Sequence, residues 1–155
     1  MVESIIEFSK DYGYFGMAFI SFLAGTIVPI TSEVVLVFFL NMGMSPIALT
    51  LSATIGNTLG GITCFMIGYL TNREKVQKIF KISDKSMDRA NRMIQKYGYW
   101  TAAISFVPVI GEALLVSLGI MRVDKYKVFL VMGFGKLVRY VFVTASYTGV
   151  SGYFS

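Results

Sequence analysis

Few side chains in this 155-residue chain can do chemistry, and those that can stand in apolar company. Glu33 ends the stretch Pro29-Ile30-Thr31-Ser32-Glu33 and is the only Asp, Glu, Lys or Arg between Asp11 and Arg73. Glu112 repeats the arrangement in Pro108-Val109-Ile110-Gly111-Glu112. Lys136, Arg139 and Tyr140 follow within a later apolar segment, and their spacing places them on one helical face. A charge at membrane depth costs about 2.5–3.5 kcal/mol even on insertion scales, so such residues face a cavity or a partner rather than lipid. The formal charges of the two acids and two bases sum to zero. Two chemistries suit them: internal ion bridges that lock structure, or a polar cavity where a cation recognises phosphate and a glutamate exchanges a proton.

Other chemistries are excluded by residue type. There is no histidine and Cys64 is the only cysteine, so one chain cannot build a zinc site, a disulfide framework or a Ser-His-Asp triad. No nucleophile and base stand at motif spacing, and the sequence calls for neither an enzyme nor a cofactor.

The elements that carry these residues are membrane elements. The chain is 55% hydrophobic and 15% charged, with a mean hydropathy of +0.66, far too apolar for a soluble domain of this length. Segments 14–40, 46–70, 98–121 and 127–150 are each about 20 residues or longer, the length that spans a bilayer. The net charge of +5 then records topology rather than nucleic-acid binding. Residues 1–12 carry Glu3, Glu7, Lys10 and Asp11 among Ile5, Ile6 and Phe8, which reads as an amphipathic interfacial lead-in and not as a cleavable signal.

The first apolar stretch is interrupted at its centre by Gly25, Thr26, Pro29 and Ser32. Such a stretch is either one kinked spanning helix or a re-entrant hairpin of two half-helices, the latter permitted only where protein or water satisfies the broken backbone. Residues 46–70 predict a true spanning helix, with Ser45 as N-cap before Pro46. Gly56, Gly60 and Gly61 on it allow another backbone to approach closely, and Asn57 beside them serves either packing or ligand binding. Residues 71–96 hold eight basic side chains, with Val76, Ile79, Phe80, Met87, Ala90, Ile94 and Tyr97 at helical spacing. Two short amphipathic helices on the membrane surface are expected there, either as a solvated orientation signal or as an anionic-lipid contact. A second interrupted stretch, 97–121, breaks at Pro108 and Gly111. A basic turn over 122–127 leads to the last spanning helix, where Gly135 precedes Lys136.

A displacement of 79 positions superimposes Pro29 on Pro108, Glu33 on Glu112, Leu36 on Leu115, Met42 on Met121, Gly56 on Gly135 and Asn57 on Lys136. Each half is then one broken apolar stretch plus one spanning helix. Re-entrant stretches give each half a single crossing and make the halves inverted. Four full crossings would put the linker and the 122–127 turn on opposite sides. Two hairpins put eleven of the fourteen basic residues on one side, so the positive-inside rule favours hairpins. The expected organisation is one all-α membrane domain over 1–155: lead-in 1–12, repeat 13–70, cytoplasmic linker 71–96 and repeat 97–152.

These motifs together resemble the DedA family, also called the VTT or SNARE-associated superfamily, and most of all its small YqaA-like branch. The resemblance rests on the Pro-x-x-x-Glu of the first hairpin, Gly56-Asn57-x-Leu59-Gly60-Gly61, Phe106-x-Pro108-x-x-Gly111-Glu112 with Gly119 and Met121, and Gly135-Lys136-x-x-Arg139-Tyr140. It implies opposed re-entrant hairpins, a multi-pass inner-membrane location, and movement of lipids such as undecaprenyl phosphate or phospholipids, often coupled to protons. Glu33 matches the family's functional first-hairpin acid. Ser105 and Gly111 stand where the better-studied branch has arginines, and Gly61 where it has an aspartate, so Lys136 and Arg139 are candidates to supply the missing cations. A proton-coupled transporter of a soluble ion or drug, or a non-transporting scaffold, are the other readings. Membrane lipids are the expected partners, and the glycine-rich helices permit a homodimer without requiring one.

Overall fold

The computed structural model describes the backbone of residues 2–26, 31–107 and 110–154, and the side chains of 11–26, 31–107 and 110–152. Pro29 and Pro108, expected at the two breaks, lie outside the described residues. The fold is all-helical: α1 (Val2–Ala24), α2 (Ser32–Asn41), α3 (Pro46–Leu70), α4 (Arg73–Phe80), α5 (Asp84–Tyr97), a 3₁₀ helix (Gly98–Ile104), α6 (Ile110–Ile120) and α7 (Lys125–Phe154). Of these, α3 and the Lys125–Gly152 part of α7 are long and apolar enough to cross a membrane.

Local chemistry explains the boundaries. Ser45 accepts from the Ala48 amide as the N-cap of α3, with Pro46 in the first turn where its missing N–H costs nothing. The preceding turn needs a left-handed residue, supplied by Gly43 at φ 78°. Asn72 and Ser83 cap α4 and α5 in the same way, accepting from Lys75 and Ser86 amides.

Helix α3 is the element on which the others are assembled. On one side it holds α1: Gly56 is seated on the Ala18 carbonyl and Gly60 on the Phe22 carbonyl, contacts that any Cβ would prevent. On another it holds α6, with Gly68 against the Val116 carbonyl and Gly119 against that of Phe65. Helix α7 packs on both α3 and the 3₁₀ helix, where Gly135 meets the Ala103 carbonyl. The core divides into two parts. One gathers Phe65, Leu114, Leu118 and Met132 with their neighbours, and the other Met17, Leu36, Leu49 and Tyr140.

Three expectations need correction. No boundary separates the lead-in 1–12 from the first apolar segment, because α1 runs unbroken from Val2 to Ala24. The first arm of the second interrupted stretch is a 3₁₀ helix, not an α half-helix. The linker helices form as expected, but their apolar faces turn to protein: Val76, Phe80, Met87, Ala90 and Ile94 are buried in the core beside α6, leaving Ile79 and Tyr97 exposed. A ready apolar surface on α6 competes with the bilayer for that stripe, and close packing favours it.

Candidate functional site

The site residues are delivered by four elements. Ser32 and Glu33 open α2, after Thr31 in extended backbone. Asn57 lies midway along α3, Gly111 and Glu112 open α6, and Lys136, Arg139 and Tyr140 lie near the middle of α7. The glycines are what let these elements meet. A Cβ on Gly61 would stand 2.8 Å from Lys136 Nζ and 2.5 Å from Met132 Sδ. The ammonium therefore occupies the room that a side chain at position 61 would fill. Gly111 is buried with the Ser105 carbonyl against it, which draws the start of α6 onto the end of the 3₁₀ segment.

Lys136 is 2% exposed, and its Nζ donates to the backbone carbonyl of Asn57 at 2.6 Å. Among the described residues this is its single hydrogen bond, which uses one of its three donors. The Asn57 side-chain amide, on a residue 4% exposed, also has no hydrogen bond among the described residues. Arg139 behaves differently. Its guanidinium is ion-paired with Glu33 and donates to the Phe106 carbonyl at 2.9 Å, so one side chain ties α2 to the segment before α6. Beside this pair, Ser32 Oγ and the Tyr140 hydroxyl lie 2.6 Å apart, both buried.

Glu112 completes the group without pairing. It is partly buried and near enough to Lys136 for their charges to interact, yet forms no ion pair among the described residues. Of the two internal ion bridges that the sequence suggested, one therefore forms, between Glu33 and Arg139. The other, between Glu112 and Lys136, does not form among the described residues, and Lys136 turns to the Asn57 carbonyl instead. Among the described residues three buried hydroxyls, of Ser21, Thr58 and Ser105, also lack partners, unusual for polar atoms out of water.

Sequence reasoning missed part of the arrangement. Thr50 and Thr144 share a hydrogen bond of 2.7 Å, and Tyr147 donates to Asn41. The signal was present: Lys136, Tyr140, Thr144 and Tyr147 recur at spacings of four and three along an otherwise apolar helix.

A family model described as the VTT domain matches residues 28–148. The chain belongs to the VTT-domain (DedA) family. The matched range includes all six central residues, Glu33, Asn57, Glu112, Lys136, Arg139 and Tyr140. Among VTT-domain relatives, the inner membrane protein YqaA of Escherichia coli is 35% identical over 139 residues, covering 89% of this chain and 93% of YqaA. The undecaprenyl phosphate transporter A of Staphylococcus aureus is 29% identical over 137 residues, covering 80% and 67%. A Lactococcus lactis protein named alkaline phosphatase-like is 29% identical over 134 residues, covering 77% and 62%. No solved structure matches the chain. Family membership and two helices of spanning length identify a membrane protein.

Proposed function

We propose that this protein moves phosphate-bearing lipids across a bacterial inner membrane, with the charged cluster at mid-depth as the place where the head group is recognised. The observation that carries this reading is Lys136. Among the described residues this buried ammonium has one hydrogen bond, the Asn57 amide has none and Glu112 forms no ion pair, an arrangement short of an anion and not a finished structural bridge. Lys136 and Asn57 offer donors to phosphate oxygens, Glu112 can hold or release a proton as charge enters, and Arg139 is occupied in joining Glu33 to Phe106. The Staphylococcus aureus relative, by its name an undecaprenyl phosphate transporter, agrees with a polyprenyl phosphate or phospholipid as cargo.

The same reading includes two inverted repeats, each a re-entrant hairpin and a spanning helix. Contacts support it. Tyr14 bonds the Ser45 amide at the start of α3, while Gly25 reaches Asn57 and Gly60 halfway along it. In the second half, Lys127 lies over the Tyr99 ring at 5.3 Å, whereas Arg139 reaches Phe106 deeper in. The Gly56–Ala18 contact has its counterpart in Gly135–Ala103, and the displacement that carries Ala18 to Ala103 also carries Tyr12-Gly13-Tyr14 to Tyr97-Gly98-Tyr99. Arg122 stacks at 5.1 Å on Tyr69, near the end of α3, so the 122–127 turn sits where the linker begins. This agrees with both basic segments facing the cytoplasm.

The test is lipid translocation in proteoliposomes with fluorescent phospholipid and polyprenyl phosphate reporters, wild type beside Glu33→Gln and Lys136→Met. Transfer by wild type, lost in variants that remain folded, supports the reading. No transfer of either reporter, with or without a proton gradient, overturns it.

A further inference from the structure

Helix α7 is joined to the first half by a line of polar contacts on one face. Lys136 meets the Asn57 carbonyl, Tyr140 meets Ser32, Thr144 meets Thr50, and Tyr147 meets Asn41. The line is graded. Tyr140 is fully buried and Thr144 is 8% exposed, while Asn41 is open to the surroundings. It thus runs from the buried ammonium to the Asn41 end of the bundle, the end opposite the linker, since Asn41 precedes α3 and the linker follows it.

The corresponding seam in the other half is built from different material. The displacement of 79 that relates Asn57 to Lys136 carries Gly61 to Tyr140, Phe65 to Thr144 and Gly68 to Tyr147. There α3 meets α6 through glycines seated on carbonyls, at Gly68–Val116 and Gly119–Phe65, with Leu115 over Gly61. Among the described residues no side-chain hydrogen bond crosses it. The two seams therefore open at different cost. Water can replace hydroxyl–hydroxyl bonds with little net loss, whereas parting a close-packed apolar seam forfeits its dispersion contacts with no substitute.

We propose that the seam of α7 against α2 and α3 is the route by which water and a phosphate-bearing head group reach Lys136 from the Asn41 end, with the α3–α6 seam closed in this conformation. Tyr140 is the plug of that route, because its buried hydroxyl separates the graded outer part from the ammonium. The head-group half of this inference rests on the lipid-translocation reading; the water half does not.

The experiment separates them. In a Cys64→Ala background, single Ser32→Cys, Thr144→Cys and Leu115→Cys variants are reconstituted with known orientation and treated with a membrane-impermeant thiol reagent from either side. The Ser32→Cys and Thr144→Cys thiols should react from the Asn41 side about tenfold or more faster than the Leu115→Cys thiol, because only their seam opens to water. Seam thiols that are inert, no faster than the control, or reactive only from the linker side overturn the route. The unmodified Thr144→Cys protein supplies the reference rate of lipid transfer. A bulky adduct on the Thr144→Cys thiol should abolish transfer; unchanged transfer through the blocked seam overturns the head-group route. Rapid labelling combined with no lipid transfer by wild type sustains the water path and overturns its head-group half together with the lipid reading.

Discussion

Lys136 Nζ donates to the backbone carbonyl of Asn57 at 2.6 Å, and these two residues, 79 positions apart, occupy the same place in the two halves of the sequence. Under the proposed two-repeat reading they are equivalent residues, and they meet where α3 and α7 cross. A second lysine there would put two ammonium groups side by side in a buried setting, a severe like-charge penalty. An asparagine and a lysine let the halves meet with one charge between them.

That difference predicts separable outcomes at position 57. Asn57→Ala keeps the carbonyl that Lys136 uses, so it should cost about 1 kcal/mol or less of stability. It removes an amide from the proposed head-group site and should slow lipid transfer. Asn57→Lys should fold poorly, which thermal unfolding in detergent would detect as a lower Tm. Equal Tm values for the two variants would contradict this account.

The Glu33–Arg139 pair should behave as a partly shielded ion pair, each side chain being about a quarter exposed, 23% and 24%. Losing either partner should cost about 1–3 kcal/mol, less than for a fully buried pair. The double variant Glu33→Gln/Arg139→Gln should be more stable than the sum of the single losses implies, as thermal or denaturant unfolding of all four proteins would show. Strict additivity would mean that the pair does not interact.

Two glycines should respond differently to a methyl group. Gly56→Ala drives a Cβ into the Ala18 backbone carbonyl, which cannot give way without moving α1, and about 1–3 kcal/mol of destabilisation follows. Gly61→Ala meets flexible ends, Met132 Sδ and Lys136 Nζ, so the fold should persist. Its effect should fall on Lys136 and be read as reduced lipid transfer at nearly unchanged Tm.

The linker has its own pH dependence. The Asp84 carboxyl is held below its usual value of 3.8, chiefly by the hydrogen bond from Gln77 and then by Arg73, which also reaches Asp88 at 2.8 Å. A depressed carboxyl stabilises the folded state fully above its usual value, and this contribution disappears as pH falls through the lower folded value. The tie between α4 and α5 should therefore weaken only in strong acid, seen as faster amide exchange in α4. Gln77→Ala should shift that loss toward higher pH; an unchanged profile would refute the assignment.

Much of this fold was legible because bilayer burial leaves strong marks. Continuous apolar length identified α3 and α7, and isolated acids and glycines in apolar runs identified the crossing region. Ser45 before Pro46 marked the start of α3, whereas Asn72 and Ser83, which cap α4 and α5, carried the same signal unread. What could not be read was which cation meets which acid, because spacing fixes a helical face but not the rotation of one helix against another. Arg139 rather than Lys136 took Glu33, and Lys136 turned to a backbone carbonyl, an acceptor present at every position and therefore invisible to residue type. The linker helices show the same limit: their stripes were evident, but whether lipid or α6 would cover them depended on packing.

The bond between Ser32 and Tyr140 joins residues 108 positions apart, and Glu33 likewise waits for Arg139 on the far side of the chain. At a synthesis rate of 5–20 residues per second, about 5–20 s separate the appearance of the acid from that of its counter-ion. During that interval the first half holds a carboxylate without the counter-ion that it meets in the finished fold. Its insertion must be provisional, sheltered by the translocation machinery or protonated, until α7 emerges and settles it. A nascent chain halted before Lys125 should thus be open to membrane proteases, while one released after Gly152 should resist them. The last helix made is the one that tells the first where to stay.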